Sequence, residues 1–312
     1  MINQERRITT MRLSFQWIGM IFLVIMFTCA FINDGLKSSK GTYFSNQVAV
    51  LEYHHIDPEA SAYTITPEAF KQHLLALKAN HYNVISMEDF IEFLEGRRSL
   101  PSDAVVLTFD DGYESFYKYA YPILKEQNMV ATNFIIVNYL GTNPGTPFLN
   151  WNEIQEMKND GFGFYSHTYN AHDFAADLNG KPVDPLTNPI YLQNMNRMET
   201  EEEYEQRVKA DLVQADQIIE SKLGAHDKLF CLPHGRYNEK LLELGNTAGI
   251  QYFFTGMDGL NAPGTKLVKR INAGSADVTP EKLLHKLNDE TTLIGGLKIT
   301  LKNYLASQRM AE

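Results

Sequence analysis

The chain has 312 residues, 44% of them hydrophobic and 21% charged, which is enough for one large globular domain or two small ones. A net charge of −10 argues against nucleic acid or another anionic polymer as the main partner and suits a neutral or cationic ligand. Aromatic residues make up 12%, a content that suits carbohydrate binding, although most of those rings belong to a core.

The N-terminal stretch "RRITTMRLSFQWIGMIFLVIMFTCAFIND" has a basic head (Arg6, Arg7, Arg12) followed by about twenty mostly apolar residues, 13–32. That length spans a bilayer as a helix, and the basic flank places the N-terminus in the cytoplasm and the rest of the chain outside. A cleaved signal peptide is the competing reading, but no clear small-x-small site follows the run. Cys29, preceded by Met26, Phe27 and Thr28, lacks a lipoprotein context. The expected division is a cytoplasmic tail at 1–11, a transmembrane signal-anchor at 12–32, a polar linker at 33–46 and a folded domain at 47–306. Cys231 is the second of only two cysteines, so the exterior part has no intramolecular disulfide. A core of roughly 260 residues holds without such staples.

From Val48 the pattern alternates strand and helix. "VAVLEY" reads as a strand, and "TPEAFKQHLLALKANHY" as a helix capped by Thr66, with Pro67 first and Phe70, Leu74 and Leu77 on one face. "SMEDFIEFLEG" is a second helix, capped by Ser86 and stopped at Gly96. A buried strand at 104–109, a helix near 114–127, the strand "VATNFIIV", a helix from Trp151 and the strand "GFGFYS" follow. The stretch 173–200, with three prolines and several Asn, has no clear period and reads as a long surface excursion beside the site. Tyr204 to Leu223 resumes as an amphipathic helix closed by Gly224. Then come "KLFCLPHG" as strand and turn, "NEKLLELGNTAG" as helix and "IQYFFTG" as strand. Repeated β–α units imply a parallel sheet, and about seven of them imply a barrel.

In such folds the active site gathers at the C-terminal strand ends. "LEYHH" brings His54 and His55 there, "LTFDDG" brings Asp110 and Asp111, "YSHTYNAH" brings His167 and His172, and "CLPHG" brings Pro233, His234 and Gly235. Each piece alone is weak: a DDG after a strand is usually a plain turn. His167 and His172 are five apart, so they share a ligand only across an irregular turn. Together, two His and one carboxylate are a ligand set that leaves positions open for water and substrate. Adjacent carboxylates repel unless something positive compensates. A cation bound by one, with the other free to accept a proton, resolves that repulsion. Adjacent strand residues face opposite ways, so the pair shares a site only if the chain turns, a freedom that Gly112 supplies.

The stretches "LTFDDG", "SHTYNAH", "LPHG" and "LEYHH" resemble the motifs of the polysaccharide deacetylases, carbohydrate esterase family 4. A "YH" motif ahead of "TFDDG", together with "LNWNEIQEM", is similar to the circularly permuted branch that includes exported poly-β-1,6-N-acetylglucosamine N-deacetylases. The resemblance covers about residues 48–275. It implies a distorted (β/α) barrel of the NodB-homology type over 47–306, after the N-terminal transmembrane helix. It also implies Asp110 as general base, His54 as general acid, and Asp111, His167 and His172 as metal ligands. The backbone N–H of His234 is implied to help hold an oxyanion, and Trp151, Tyr113 and Pro233 to contact substrate. The family usually has Tyr where this chain has His234; a backbone donor survives that change. Arg270 in "VKRINA" reads either as partner of a site carboxylate or as a surface arginine.

The implied cofactor is a divalent metal, zinc by default, with nickel, cobalt or iron also fitting the donors. The implied activity is removal of acetyl groups from an N-acetylated extracellular polysaccharide by a membrane-bound enzyme, with the exopolysaccharide synthesis machinery as a further partner. Hydrolysing an acetamide needs an activated water, a stabilised oxyanion and a protonated leaving amine, and this set supplies each once. A peptidoglycan N-deacetylase or an O-acetyl esterase could use the same residues. A glycoside hydrolase needs carboxylates flanking the bond about 5 Å or more apart, which neighbours at one strand end fit poorly. A glycan-binding protein without activity would not need this polar set.

Overall fold

The computed structural model describes residues 42–310, so the expected tail, the transmembrane segment at 12–32 and most of the linker lie outside the described residues. Among the described residues no helix is long and apolar enough to cross a membrane. Eight short strands form the main sheet: β1 (Val48–Tyr53), β2 (Ala104–Phe109), β3 (Thr132–Ile135), β4 (Gly163–Ser166), β5 (Leu229–Cys231), β6 (Tyr252–Phe254), β7 (Leu267–Val268) and β8 (Ile271–Asn272). Each pairs in parallel with its neighbour in the order β8-β1-β2-β3-β4-β5-β6-β7. Only Lys269 and Arg270 separate β7 from β8, so one extended stretch pairs with both ends of the row and nearly closes the barrel. The pairs Leu260–Asn261 on β1 and Asn83–Val84 on β2 add to the sheet.

The alternation of side chains along a strand sorts the core into two layers. Val48 and Val50 of β1 meet Val106, Phe134, Tyr165, Cys231, Phe254 and Val268 from the other strands and fill the barrel. Helix α2 (Met87–Leu94), capped by Ser86, adds Phe90 and Phe93 to that layer. Ala49, Leu51 and Tyr53 face outward instead, against Phe70, Leu74 and Leu77 of α1 (Pro67–Ala79), whose N-cap is Thr66 as expected. Every residue of β2 is buried, as befits an uncharged strand covered on both faces.

The remaining helices are α3 (Tyr121–Gln127), α4 (Trp151–Asn159), α5 (Glu201–Leu223), α6 (Glu239–Thr247), α7 (Pro280–Asp289) and α8 (Leu293–Met310). A π-helical turn, Phe116–Ala120, precedes α3, so the helix expected over 114–127 is two pieces. Helix α5 starts one turn before the expected Tyr204: Thr200 and Glu203 form a capping box, and three glutamates occupy the positive end of the helix dipole. The excursion at 173–200 is less irregular than its sequence suggests. It holds two small hairpins, pairing Ala175–Ala176 with Pro182–Val183 and Tyr191–Leu192 with Arg197–Met198. Two-residue strands are too short to show alternation, which is why the sequence does not reveal them.

Candidate active site

Asp110 follows the last residue of β2, and its N–H donates to Tyr53 O of β1 at 3.0 Å. Asp111 then takes φ +75° and Gly112 φ +83°. Two successive left-handed residues break the alternation of the strand and turn both carboxylates into one cavity. The turn is tight: a Cβ on Gly112 would lie 3.1 Å from Ile135 Cγ2. A non-glycine residue at such a φ is uncommon and marks stored strain at a functional position.

Asp111 Oδ1 lies 3.5 Å from His167 Nε2 and 3.3 Å from His172 Nε2. That oxygen is buried and has no hydrogen-bond partner of proper geometry. His167 Nδ1 donates to Cys231 O at 2.9 Å, and His172 Nδ1 lies 3.3 Å from the Asp173 carboxylate. A neutral imidazole that spends its N–H on Nδ1 keeps its Nε2 lone pair free, so both lone pairs point toward Asp111. Three ligand atoms within 4.8 Å of one another, one an orphaned carboxylate oxygen and two with open lone pairs, fit a divalent cation.

Asp110 is built for a different task. Its Oδ1 accepts from Arg270 Nη1 at 2.8 Å, while Oδ2 lies 3.4 Å from Cys231 Sγ and 3.9 Å from His54 Nε2. Burial alone would raise its pKa; the Arg270 guanidinium overrides that and keeps the carboxyl below its ordinary value. Arg270 is only 2% exposed, donates through Nε to Thr255 O at 3.0 Å, and faces Glu52 Oε2 at 3.1 Å from Nη2. Of the two readings of Arg270, the carboxylate partner is therefore the one the fold adopts. His54 follows β1 directly, with Nε2 also 3.9 Å from Glu52 Oε1. His55 sits beside it, its ring edge-on to Tyr113 at 5.0 Å and its Nδ1 3.3 Å from Thr64 Oγ1.

These groups line a cavity of about 780 Å³, with Tyr63, Tyr113, Phe174 and His234 among its wall residues. His234 takes φ +56° in the turn Pro233–Gly235, donates through Nε2 to His172 O at 3.1 Å and stacks on Phe174 at 4.6 Å. No hydrogen bond among the described residues uses the His234 backbone N–H, whereas Gly235 and Arg236 donate back to Leu232 and Pro233. Two expected substrate contacts stand elsewhere. Trp151 opens α4 with its ring packed toward the core and 5.9 Å from Lys222 Nζ, away from the cavity wall. Pro233 is buried beneath the turn, and its neighbours Leu232, His234 and Gly235 form the wall in its place. Sequence reasoning missed Glu52, whose signal is the single charge in the apolar run "VAVLEY". It also missed Asp211, a carboxylate among the buried positions of α5.

The family model for polysaccharide deacetylases matches residues 97–253, half of the chain, and the chain belongs to that family. Among curated relatives, the poly-β-1,6-N-acetyl-D-glucosamine N-deacetylase of Escherichia coli K12 is 27% identical over 244 residues, covering 72% of this chain. The chain spans 36% of the length of that relative. The protein of the same name from Staphylococcus epidermidis is 25% identical over 240 residues, covering 70% of this chain and 75% of its own length. Among solved structures, a de-N-acetylase from Aggregatibacter actinomycetemcomitans superposes with a TM-score of 0.70 at 26% identity, covering 77% of this chain and 99% of that one. IcaB from Ammonifex degensii gives 0.66 at 25%, covering 78% and 97%.

Proposed function

We propose that this chain is a metal-dependent N-deacetylase that removes acetyl groups from N-acetylhexosamine units of an extracellular, poly-N-acetylglucosamine-like polysaccharide. The observation that carries the reading is the orphaned Asp111 Oδ1 facing His167 and His172, with Asp110 held ionised beside it by Arg270. Asp111, His167 and His172 would hold a divalent cation, which would supply Lewis acidity to the site. Zinc is the default for this donor set, and nickel, cobalt or iron also fit it.

The chain's own groups do the remaining work. Asp110 Oδ2, free of Arg270, accepts the proton of the water as it attacks the acetyl carbon. The His234 N–H donates to the carbonyl oxygen as negative charge develops there. His54 delivers a proton to the sugar nitrogen as the C–N bond breaks, leaving a free amine and acetate. Burial pushes the Tyr113 phenol well above its ordinary pKa, so it stays protonated as a donor on the cavity wall.

The polymer assignment draws support from the names of the two curated relatives. A single-pass anchor at 12–32 with the domain outside the cell would set the enzyme where polymer leaves the synthesis machinery; the basic flank and apolar run support it. The test is acetate release from β-1,6-linked N-acetylglucosamine oligomers by metal-loaded protein, with chelated protein as control. Release from peptidoglycan fragments or O-acetyl esters in their place would reassign the substrate. No release from any of the three would refute the deacetylase reading.

A further inference from the structure

His167 and His172 lie on neither a helix nor a strand, so their relative position depends on what holds residues 168–171. The segment after β3 holds two of their carbonyls: Val137 N donates to Thr168 O at 3.1 Å and Asn138 N to Tyr169 O at 2.9 Å. β4 ends at Ser166, and Thr168 has φ +89°. What grips the amides of the turn is a side chain from another element. Asp211, in the middle of α5 and 8% exposed, accepts from Tyr169 N at 2.9 Å through Oδ1 and from Asn170 N at 2.8 Å through Oδ2. Bonds from neutral N–H groups to a carboxylate are charge-assisted and shorter and stronger than neutral ones.

We infer that Asp211 is a positioning residue of the metal centre: it fixes the amides between the two histidines and so helps to set the distance between their Nε2 atoms. Asp211 touches neither histidine side chain and lines no part of the cavity. It acts through the peptide units at 169 and 170. One more contact steadies the far side of the same turn, where His234 Nε2 donates to His172 O. Beyond the bonds from residues 137 and 138, the turn is therefore held by a carboxylate behind it and a ring in front. A ligand pair on an irregular loop has no secondary structure to preorganise it, and outer contacts that orient ligands typically carry about 10–100-fold in metal affinity. This inference rests on the metal site proposed above.

A comparison residue exists in the same chain. Asp103, 6% exposed, accepts from Tyr43 N at 2.9 Å and Phe44 N at 2.7 Å. It is an equally buried carboxylate gripping two backbone amides, far from the cavity. The experiment titrates metal-free full-length protein with Co²⁺ and reads both affinity, by chelator competition, and the visible absorption of the bound ion. Asp211→Asn is expected to weaken Co²⁺ binding about 10–100-fold and to shift its absorption bands. Asp103→Asn is expected to lower the melting temperature while leaving affinity and spectrum unchanged. Asp211→Glu keeps the charge but moves it by one methylene, and is expected to lose less affinity than Asp211→Asn; it is read alone if the Asn variant does not fold. A folded Asp211 variant with wild-type affinity and spectrum overturns the inference, as does an Asp103→Asn protein that loses Co²⁺ to the same degree. A wild-type chain that takes up no Co²⁺ overturns the metal site itself, and the positioning role with it.

Discussion

Arg270→Gln tests whether Asp110 works because a buried cation keeps it charged. The substitution removes a guanidinium that donates to Asp110 at 2.8 Å, faces Glu52 at 3.1 Å and donates to Thr255 O at 3.0 Å. Two carboxylates are then left in a site where Asp110 is 2% exposed. Breaking a buried pair from one side costs about 3–5 kcal/mol. For a domain of this size that lowers the melting temperature by roughly 6–20 °C. The sign with pH follows from the depressed pKa of Asp110: its stabilising contribution is full above the unfolded carboxyl pKa and fades as pH falls through the folded one. Without Arg270, burial is opposed only by the smaller effects of His167 and His54, and the pKa rises. The variant then loses stability as pH rises, and the acid limb of its rate profile moves upward. A protonated Asp110 accepts no proton, so turnover at pH 7 is expected to fall about 10²-fold or more. Arg270→Lys retains the charge without the fork and should fall between the two. The assay is kcat/KM for acetate release across pH, with metal content measured on each sample. A folded, metal-loaded Arg270→Gln protein within about threefold of wild type, its acid limb unmoved, would refute the reasoning.

Asp110→Asn is expected to keep bound metal and lose most activity, whereas Asp111→Asn loses metal affinity first; metal stoichiometry beside rate in both variants decides it. If Asp110→Asn empties the site, or Asp111→Asn leaves it filled, the division of labour is wrong. His54→Ala should cut turnover about 10²-fold or more while metal content holds; near-normal turnover would make it a structural histidine and point to His55. For the anchor, protease added to intact cells should reach the domain, and the mature chain should retain residues 11–32; a secreted product starting after residue 30 refutes it.

The parts of the site legible in sequence are those whose signal is local. "LTFDDG" shows a buried strand, two anions and a glycine within six residues, and the structure places all of them as that pattern implies. The histidine pair was legible as donors needing an irregular turn, but the reason the turn holds was not. Asp211 lies 42 residues beyond Tyr169, and on α5 it interrupts a stripe otherwise read from Val208, Leu212 and Ala215. Arg270 was ambiguous for the same reason: its partner Asp110 is 160 positions away. For Trp151 the sequence could not show where the ring would lie, because an aromatic at a helix start looks alike whether it faces a cavity or the core. The closing strands β7 and β8 are two residues each, below the length at which a hydrophobic period can be seen.

That closing stretch ties catalysis to the order of assembly. Arg270 stands between β7 and β8, so the cation reaches Asp110 only when the last strands seal the barrel against β1 and β6. A chain delivered N-terminus first displays both aspartates and the proposed acid and ligand histidines, 54, 167 and 172, well before residue 267 arrives. Until the seam docks, Asp110 lacks the guanidinium that binds it in the finished site. An unfinished domain is therefore a silent one: it carries every proposed ligand and the proposed acid, yet its base has no cation to hold it in place until the final turn of the fold is made.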